Sequence, residues 1–241
     1  MDIGNSRAKC ACFDEKGTIV RRDIFPTDGE GRALLSEGVT NFCGGETRVA
    51  ASCVVKDILP LFEKGGAFED AFLVTEDVKL PFRINYEKKM LGTDRIAAAA
   101  GAMFLVPGAD IVVVDAGTAL TFGVVLSGGV FDGGLITAGP STAIGALAKE
   151  APALGSVPFG AADGLVAHNT PDALGNGFYH GYCALVEGVF ARIKKHYDRR
   201  FSLVLTGGGS TVISQGISVP HLREDDLVLK GIFALYGMNR T

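Results

Sequence analysis

Apolar and polar residues alternate from Ala8 to Phe13, break at Glu15-Lys16-Gly17, and resume from Thr18 to Phe25. A period of two on both sides of a Gly-containing turn predicts a β-hairpin. Arg32 to Phe42 then reads as a helix, Thr47 to Val54 as a strand, Val55 to Lys64 as a short helix and Ala71 to Thr75 as a strand. The chain opens with Met1-Asp2-Ile3-Gly4-Asn5-Ser6, read as a tight polar turn with no strand before it. A second run starts at Ile111. Ile111 to Val114 is continuously apolar, as in a strand buried on both faces. Asp115-Ala116-Gly117-Thr118 is a polar turn, Ala119 to Leu126 a strand, Ser127-Gly128-Gly129 a hairpin turn and Val130 to Ile136 a third strand. Helical segments follow, the clearest over Phe178 to Tyr197. Its apolar positions Phe178, Tyr182, Leu185, Val186, Val189, Phe190, Ile193 and Tyr197 are spaced mostly by three and four. Ser202 to Leu205 is a last strand, ending in Thr206-Gly207-Gly208-Gly209.

The two runs share a plan: Asp-x-Gly followed by Asn or Thr, a hairpin, then helix and strand. Such an internal duplication predicts an α/β protein of two related lobes with mixed sheets, residues 1–108 and 109–241, each presenting an acidic Gly turn to a common cleft. No Pro/Ser-rich linker separates them. Asp115 has an apolar strand before it and Asp2 does not. By internal comparison the expectation is that about four or five residues are missing before Met1, near the mean strand length.

Composition narrows the function classes. Of 241 residues, 47% are hydrophobic, enough for a sizeable core, and 33 are Gly, which supports many tight turns. A net charge of −4 and no run of Lys/Arg longer than a pair argue against a nucleic-acid partner. The most apolar stretch, Ile111 to Phe131, contains Asp115 and several Gly, so it reads as strands and turns, and no membrane partner is expected. The opening carries no charged-then-apolar leader, and the five cysteines form no C-x-x-C. Both features predict a cytoplasmic protein with reduced thiols. His168, His180, His196 and His221 lack ligand spacing and are read as structural or surface residues.

A Gly in an interstrand turn lets backbone N–H groups approach phosphate, and Asn5, Ser6 and Thr118 add side-chain donors. Asp2 and Asp115 repel phosphate unless a cation intervenes; oxygen ligands of this kind suit Mg²⁺ through water. One such turn alone is an ordinary hairpin turn. Two, together with Thr206-Gly207-Gly208-Gly209, indicate a nucleotide site, and the absence of G-x-x-x-x-G-K-[ST] excludes a P-loop.

These turns resemble those of the actin-like ATPase and sugar-kinase superfamily, which implies two ribonuclease-H-like lobes around a nucleotide cleft. Gly92-Thr93-Asp94-Arg95, opening an Ala-rich helix with Tyr86 upstream, resembles the substrate motif of type III pantothenate kinases. So do Asn169-Thr170, Gly133-Gly134 with Ala138-Gly139-Pro140, and Leu229-Lys230-Gly231. The resemblance covers nearly the whole chain. It implies that Asp94 is the proton acceptor, and that Tyr86, Gly92, Thr93, Asp94, Arg95 and Thr170 bind pantothenate. It further implies that Asp2, Gly4, Asn5, Ser6, Arg7 and Lys9 bind ATP with Thr118, and that Asp115 holds a monovalent cation, K⁺ or NH₄⁺. Mg²⁺ and a homodimer are implied with them. Read from the residues alone, Asp94 could equally cap the helix from Arg95 to Phe104, with Arg95 in a surface pair. Two other roles stay open on the same scaffold: a non-catalytic accessory factor for transcription, and a kinase for another small molecule.

Overall fold

The computed structural model describes residues 1–27, 37–42 and 48–240, which form two compact units. The first comprises Met1–Pro107, Gly128–Phe131 and Asp226–Thr241; the second comprises Gly108–Ser127 and Asp132–Asp225. The chain therefore passes back into the first unit for its last helix, which an unbroken division at 108/109 does not provide.

The first unit is built on a five-stranded sheet in the order β3-β2-β1-β4-β5. These strands are β1 (Asp2–Ile3), β2 (Arg7–Phe13), β3 (Ile19–Pro26), β4 (Ala50–Cys53) and β5 (Phe72–Leu73). The expected polar turn over residues 1–6 is thus corrected at its start. Asp2 and Ile3 form the central strand, antiparallel to β2 and parallel to β4. Two residues with one apolar side chain carry no periodic signal; their partners on both sides make them a strand. The hairpin stands where alternation put it. The short helix expected over 55–64 is a tight 3₁₀ stretch, Lys56–Phe62, with Pro60 inside it, as befits a residue that cannot donate to an α-helical ladder. The helix expected over Arg32–Phe42 lies partly outside the described residues; 37–42 are helical.

One face of this sheet carries Ile3, Ala8, Cys10 and Cys53, packed with Val39, Phe42, Ile58, Phe62 and Phe68. The other face is covered by α1 (Thr93–Leu105) and α5 (Leu227–Asn239). There Phe13 stacks on Phe233 with centroids 4.6 Å apart. The Ala-rich run 97–100 gives α1 a flank without bulk, and α5 crosses it in near backbone contact. A Cβ on Gly231 would overlap the Ala97 carbonyl, and a Cβ on Gly101 the Leu227 carbonyl.

The second unit repeats the topology. Its sheet runs β9-β8-β7-β10-β11, the order of the first sheet moved on by six strands. The strands are β7 (Ile111–Ala116), β8 (Ala119–Leu126), β9 (Val130–Ala138), β10 (Ser202–Thr206) and β11 (His221–Arg223). The central β7 is antiparallel to β8 and parallel to β10, as β1 is to β2 and β4. The internal duplication read from two short turns is therefore present in strand order. β7 runs through Ala116, so Asp115 is a strand residue and not part of a turn. The first two residues of β9, which belong to the first unit, pair with β6 (Arg83–Ile84), a strand that the sequence did not signal.

Helices α2 (Pro140–Glu150), α3 (Thr170–Tyr197) and α4 (Ser210–Gly216) complete the second unit. α3 begins a full two turns before the expected Phe178, capped by Asn169, whose side chain accepts the Asp172 N–H at 3.0 Å. Its buried stripe is Tyr179, Cys183, Val186, Phe190 and Ile193; Tyr182, Leu185 and Val189 pack at its margins.

The α1–α5 crossing yields a paired prediction. Gly231→Ala should destabilise the protein by roughly 1–3 kcal/mol through overpacking, at about 2–4 °C of Tm per kcal/mol in a chain of this size. Gly181→Ala, in α3 where nothing stands near an added Cβ, should leave Tm unchanged or raise it. Thermal melts of both variants check this.

Candidate active site

In the first unit, Asp2 stands half-buried on the central strand, directly across from Lys9 on β2 and Ser52 on β4. Cross-strand partners project to the same face, so Asp2, Lys9 and Ser52 share the face that α1 covers. After β1, the chain turns through Gly4, Asn5 and Ser6. The Gly4 N–H donates to the Arg7 carbonyl at 3.0 Å. Buried Thr27 holds the turn from behind: its hydroxyl donates to the Gly4 carbonyl at 2.7 Å and its N–H to the Ser6 carbonyl at 3.2 Å. Asn5, Ser6 and Arg7 are exposed. This is a turn anchored from behind with an exposed outer rim.

Gly92 is the N-cap of α1, and Thr93, Asp94 and Arg95 form its first turn. The Asp94 carboxylate folds back over Gly92, where any Cβ would overlap Oδ1, and accepts the Arg95 N–H at 2.8 Å. The spacing Gly-x-Asp thus has a steric cause. Burial raises the Asp94 pKa above the ordinary carboxylate value, against the Arg95 N–H, the Arg95 charge and the Asp94 N–H, which pull it down. The helix starts at Thr93 with Gly92 as its N-cap, so Asp94 does not cap it; its carboxylate, desolvated, accepts a first-turn N–H from within the helix.

The Thr93 hydroxyl faces inward. It lies 2.9 Å from Ser52 Oγ and donates to the Cys53 carbonyl at 3.4 Å. Burial, chiefly, with Asp2 nearby, raises the Cys53 thiol pKa.

Arg95 is not in a surface pair. Its guanidinium lies against two adjoining rings, 5.3 Å from the Tyr86 centroid and 5.5 Å from that of Phe131. Tyr86 and Phe131 meet edge to face, and Phe131 is held by the Asn85 N–H, which donates to its carbonyl at 2.8 Å. Nε and Nη2 of Arg95 are buried and have no hydrogen-bond partner. Orphaned buried donors cost about 1–3 kcal/mol each, more on a charged group, and the two rings return only about 0.5–2 kcal/mol. An anion at these nitrogens removes that deficit. Sequence reasoning missed both Ser52 and Phe131. A Ser in the otherwise apolar Ala50-Ala51-Ser52-Cys53 was a usable signal; a Phe in an apolar strand was not.

In the second unit, Asp115 is half-buried near the end of β7, level with Thr206 of β10 and Thr121 of β8. The glycine turn after β10 wraps this strand end. Gly207 has φ +86°, and a Cβ there would overlap Asp115 Oδ1; Gly209 N–H donates to the Ala116 carbonyl at 2.9 Å. The Thr118 carbonyl accepts from Gly139 N–H at 2.9 Å and from the Thr142 hydroxyl at 2.7 Å, which ties this turn to the start of α2. Thr170 is the exposed first residue of α3. The expected residues therefore divide: Asp2 to Lys9, Tyr86 and Gly92 to Arg95 in the first unit, Asp115, Thr118 and Thr170 in the second. Among the described residues, no three His, Cys, Asp or Glu side chains are grouped to hold a metal ion. Carboxylates outside such a group suit a cation held mainly by phosphate oxygens, carbonyls and water.

Solved structures share this architecture. A conserved putative Baf family transcriptional activator from Campylobacter jejuni aligns with a TM-score of 0.62 and 20% identity over 99% of this chain and 96% of that one. A putative 2-dehydro-3-deoxygalactonokinase from Sinorhizobium meliloti aligns at 0.61 and 12% identity over 98% and 97%. The duplicated mixed sheets, shared with such structures, define an actin-like ATPase and sugar-kinase fold.

Within that class the chain belongs to the type III pantothenate kinase family, whose model matches residues 1–192. A type III pantothenate kinase of Dehalococcoides mccartyi (strain ATCC BAA-2266 / KCTC 15142 / 195) is 32% identical over 254 residues, spanning 100% of this chain and 97% of that one. One from Sulfurihydrogenibium sp. (strain YO3AOP1) is 36% identical over 164 residues, 68% of this chain and 65% of that one.

Asp94 gives a pH prediction. Its native pKa is raised, so between the ordinary carboxylate value and the native value the folded state holds more protons than the unfolded chain. Stability then falls as pH rises through that window. Asp94→Asn keeps an acceptor for the Arg95 N–H and removes the charge. It should be at least as stable as the parent at neutral pH, with the advantage vanishing as pH falls to about 4. Melts from pH 4 to 7 test this; a stability difference that does not vary with pH contradicts it.

Proposed function

We propose that this chain transfers the γ-phosphoryl group of ATP to the primary alcohol of pantothenate, giving 4′-phosphopantothenate, the first step of coenzyme A biosynthesis. The observation that carries this reading is the buried, unpartnered Arg95 edge beside the desolvated Asp94 carboxylate. Guanidinium nitrogens in a fixed fork take a carboxylate bidentately, and pantothenate has one carboxylate. Arg95, steadied by Tyr86, grips that end. Successive helix residues point about 100° apart, so Asp94 addresses another part of the substrate and accepts the hydroxyl proton. Gly92 leaves room for Asp94, and Thr93 and Thr170 complete the assigned pantothenate contacts. Phosphoryl transfer asks for positioning and charge neutralisation more than for a strong base, so a carboxylate suffices as proton acceptor, and burial raises the Asp94 pKa.

Asp2, Gly4, Asn5, Ser6, Arg7 and Lys9 are assigned to ATP, with Thr118 as a further contact. Asp115 is assigned to K⁺ or NH₄⁺. Mg²⁺ would be held through the nucleotide phosphates and water and supplies neutralisation of developing phosphate charge. The lobe division proposed is 1–108 and 109–241, with the last helix returning to the first unit. A cytoplasmic homodimer acting on small molecules, with neither nucleic acid nor membrane as partner, is part of the same proposal; the acidic balance of the chain supports the exclusion of nucleic acid.

The deciding experiment is ATP- and K⁺-dependent phosphorylation of pantothenate measured against a panel of sugars, acetate and small alcohols. Turnover of another acceptor in preference to pantothenate overturns the substrate assignment. Asp94→Asn should lower kcat about 10²–10⁴-fold with ATP binding, read by calorimetry, nearly intact. Replacing K⁺ by Na⁺ at constant ionic strength and constant Mg²⁺ should depress turnover strongly. Equal rates in the two salts refute the Asp115 cation.

A further inference from the structure

Ser52 lies wholly buried in β4, in register with Asp2 on the neighbouring strand. A serine in such a place must spend its hydroxyl on something, and it meets the Thr93 hydroxyl of α1 at 2.9 Å. Thr93 in turn donates to the Cys53 carbonyl at 3.4 Å. A hydroxyl has one proton. With Thr93 donating to the carbonyl, Ser52 is the donor between the two hydroxyls, so the chain runs Ser52 to Thr93 to Cys53. Both protons are used, and the Thr93 side chain points into the sheet. The residue before Asp94 is thereby fastened to the strand beside Asp2. From the helix side, Gly92, the N-cap, has no side chain to cap with, and the turn's own side-chain contact is Asp94 accepting the Arg95 N–H.

We propose that Ser52 and Thr93 form a positioning strut, holding the turn that carries Asp94 and Arg95 in register with the strand that carries Asp2. This rests on the kinase reading above, and it moves Thr93 from substrate contact to alignment of its neighbours. The Asp2 strand leads into the turn assigned to ATP phosphates, and Asp94 addresses the alcohol. A strut between them therefore sets how well the two reactants are aligned. Misplacement of about 1 Å at a reacting centre can lower turnover about a hundredfold. The effect belongs in kcat, because on this proposal both hydroxyls are spent inside the protein, on each other and on the Cys53 carbonyl, and not on a reactant.

The test uses the full chain and the variants Ser52→Ala, Thr93→Val, their double combination and Thr93→Ser. Each is measured for kcat, for KM of pantothenate, for ATP affinity and for amide hydrogen exchange, well below its Tm. Ser52→Ala and Thr93→Val should each lower kcat roughly ten- to a hundredfold, with ATP affinity within about twofold of the parent. The double variant should be no worse than the worse single one, since one contact is lost in all three. Thr93→Ser, which keeps the hydroxyl, should turn over closer to the parent than to Thr93→Val. Exchange at the first turn of α1 should quicken in the two single variants and stay unchanged in the rest of the helix. Kcat within twofold of the parent in both single variants, or independent losses that multiply in the double variant, overturn the strut. So does unchanged exchange at the first turn, whatever the activity. An inactive parent with the exchange changes present sinks the pantothenate reading and leaves the strut standing.

Discussion

The depth at which α1 sits is the constraint on which the active-site geometry depends. Gly101 and Gly231 let α1 and α5 touch backbone to backbone, and the run Ala97 to Ala100 keeps bulk away from the contact. Interiors are packed to crystal density and transmit displacements, so an added methyl at the crossing moves a whole helix. The N-terminal turn of that helix holds Thr93, Asp94 and Arg95. A family motif near the chain end, Leu229-Lys230-Gly231, and one near residue 92 are therefore parts of one mechanical unit. The first makes room, and the second uses the room at the other end of the same helix.

The site stores its chemistry as incomplete electrostatics. Asp94 is desolvated yet receives a helix N–H, and the balance leaves its pKa raised. Arg95 has two aromatic faces but no anion for Nε and Nη2. Each arrangement disfavours the protein standing alone and, on the function proposed above, favours it holding a carboxylate and an alcohol. Stability given up at one turn is small beside the burial of two cores, one behind β1 and one around β7 and α3.

The second unit meets the same problem differently. Its central strand is long and apolar, and Asp115 near its end is enclosed by a glycine turn with φ +86° at Gly207. A side chain at 207 would collide with the carboxylate and with the Ala116 backbone. In the first unit a short central strand is followed by a turn pinned by Thr27. One topology, β3-β2-β1-β4-β5 and β9-β8-β7-β10-β11, thus supports two central-strand aspartates, each set beside a turn held by unrelated local means.

What the sequence by itself determined was whatever periodicity and turn chemistry encode locally. That covers both hairpins, the apolar strand at Ile111, the amphipathic helix, the pairing of the two Asp-x-Gly segments, though not the strand placement of their aspartates, and the Gly-x-Asp-Arg motif. These signals lie within a few residues of one another, so local patterns preserve them. Tertiary structure decided the rest. β1 is a strand because β2 and β4 flank it, and β6 because β9 does. The final helix joins the first unit because Gly231 fits against Ala97. Thr93 faces inward because Ser52 is there, and Arg95 is buried because Tyr86 and Phe131 close on it. Each depends on partners many residues away, brought close by the fold and invisible to any short window of sequence.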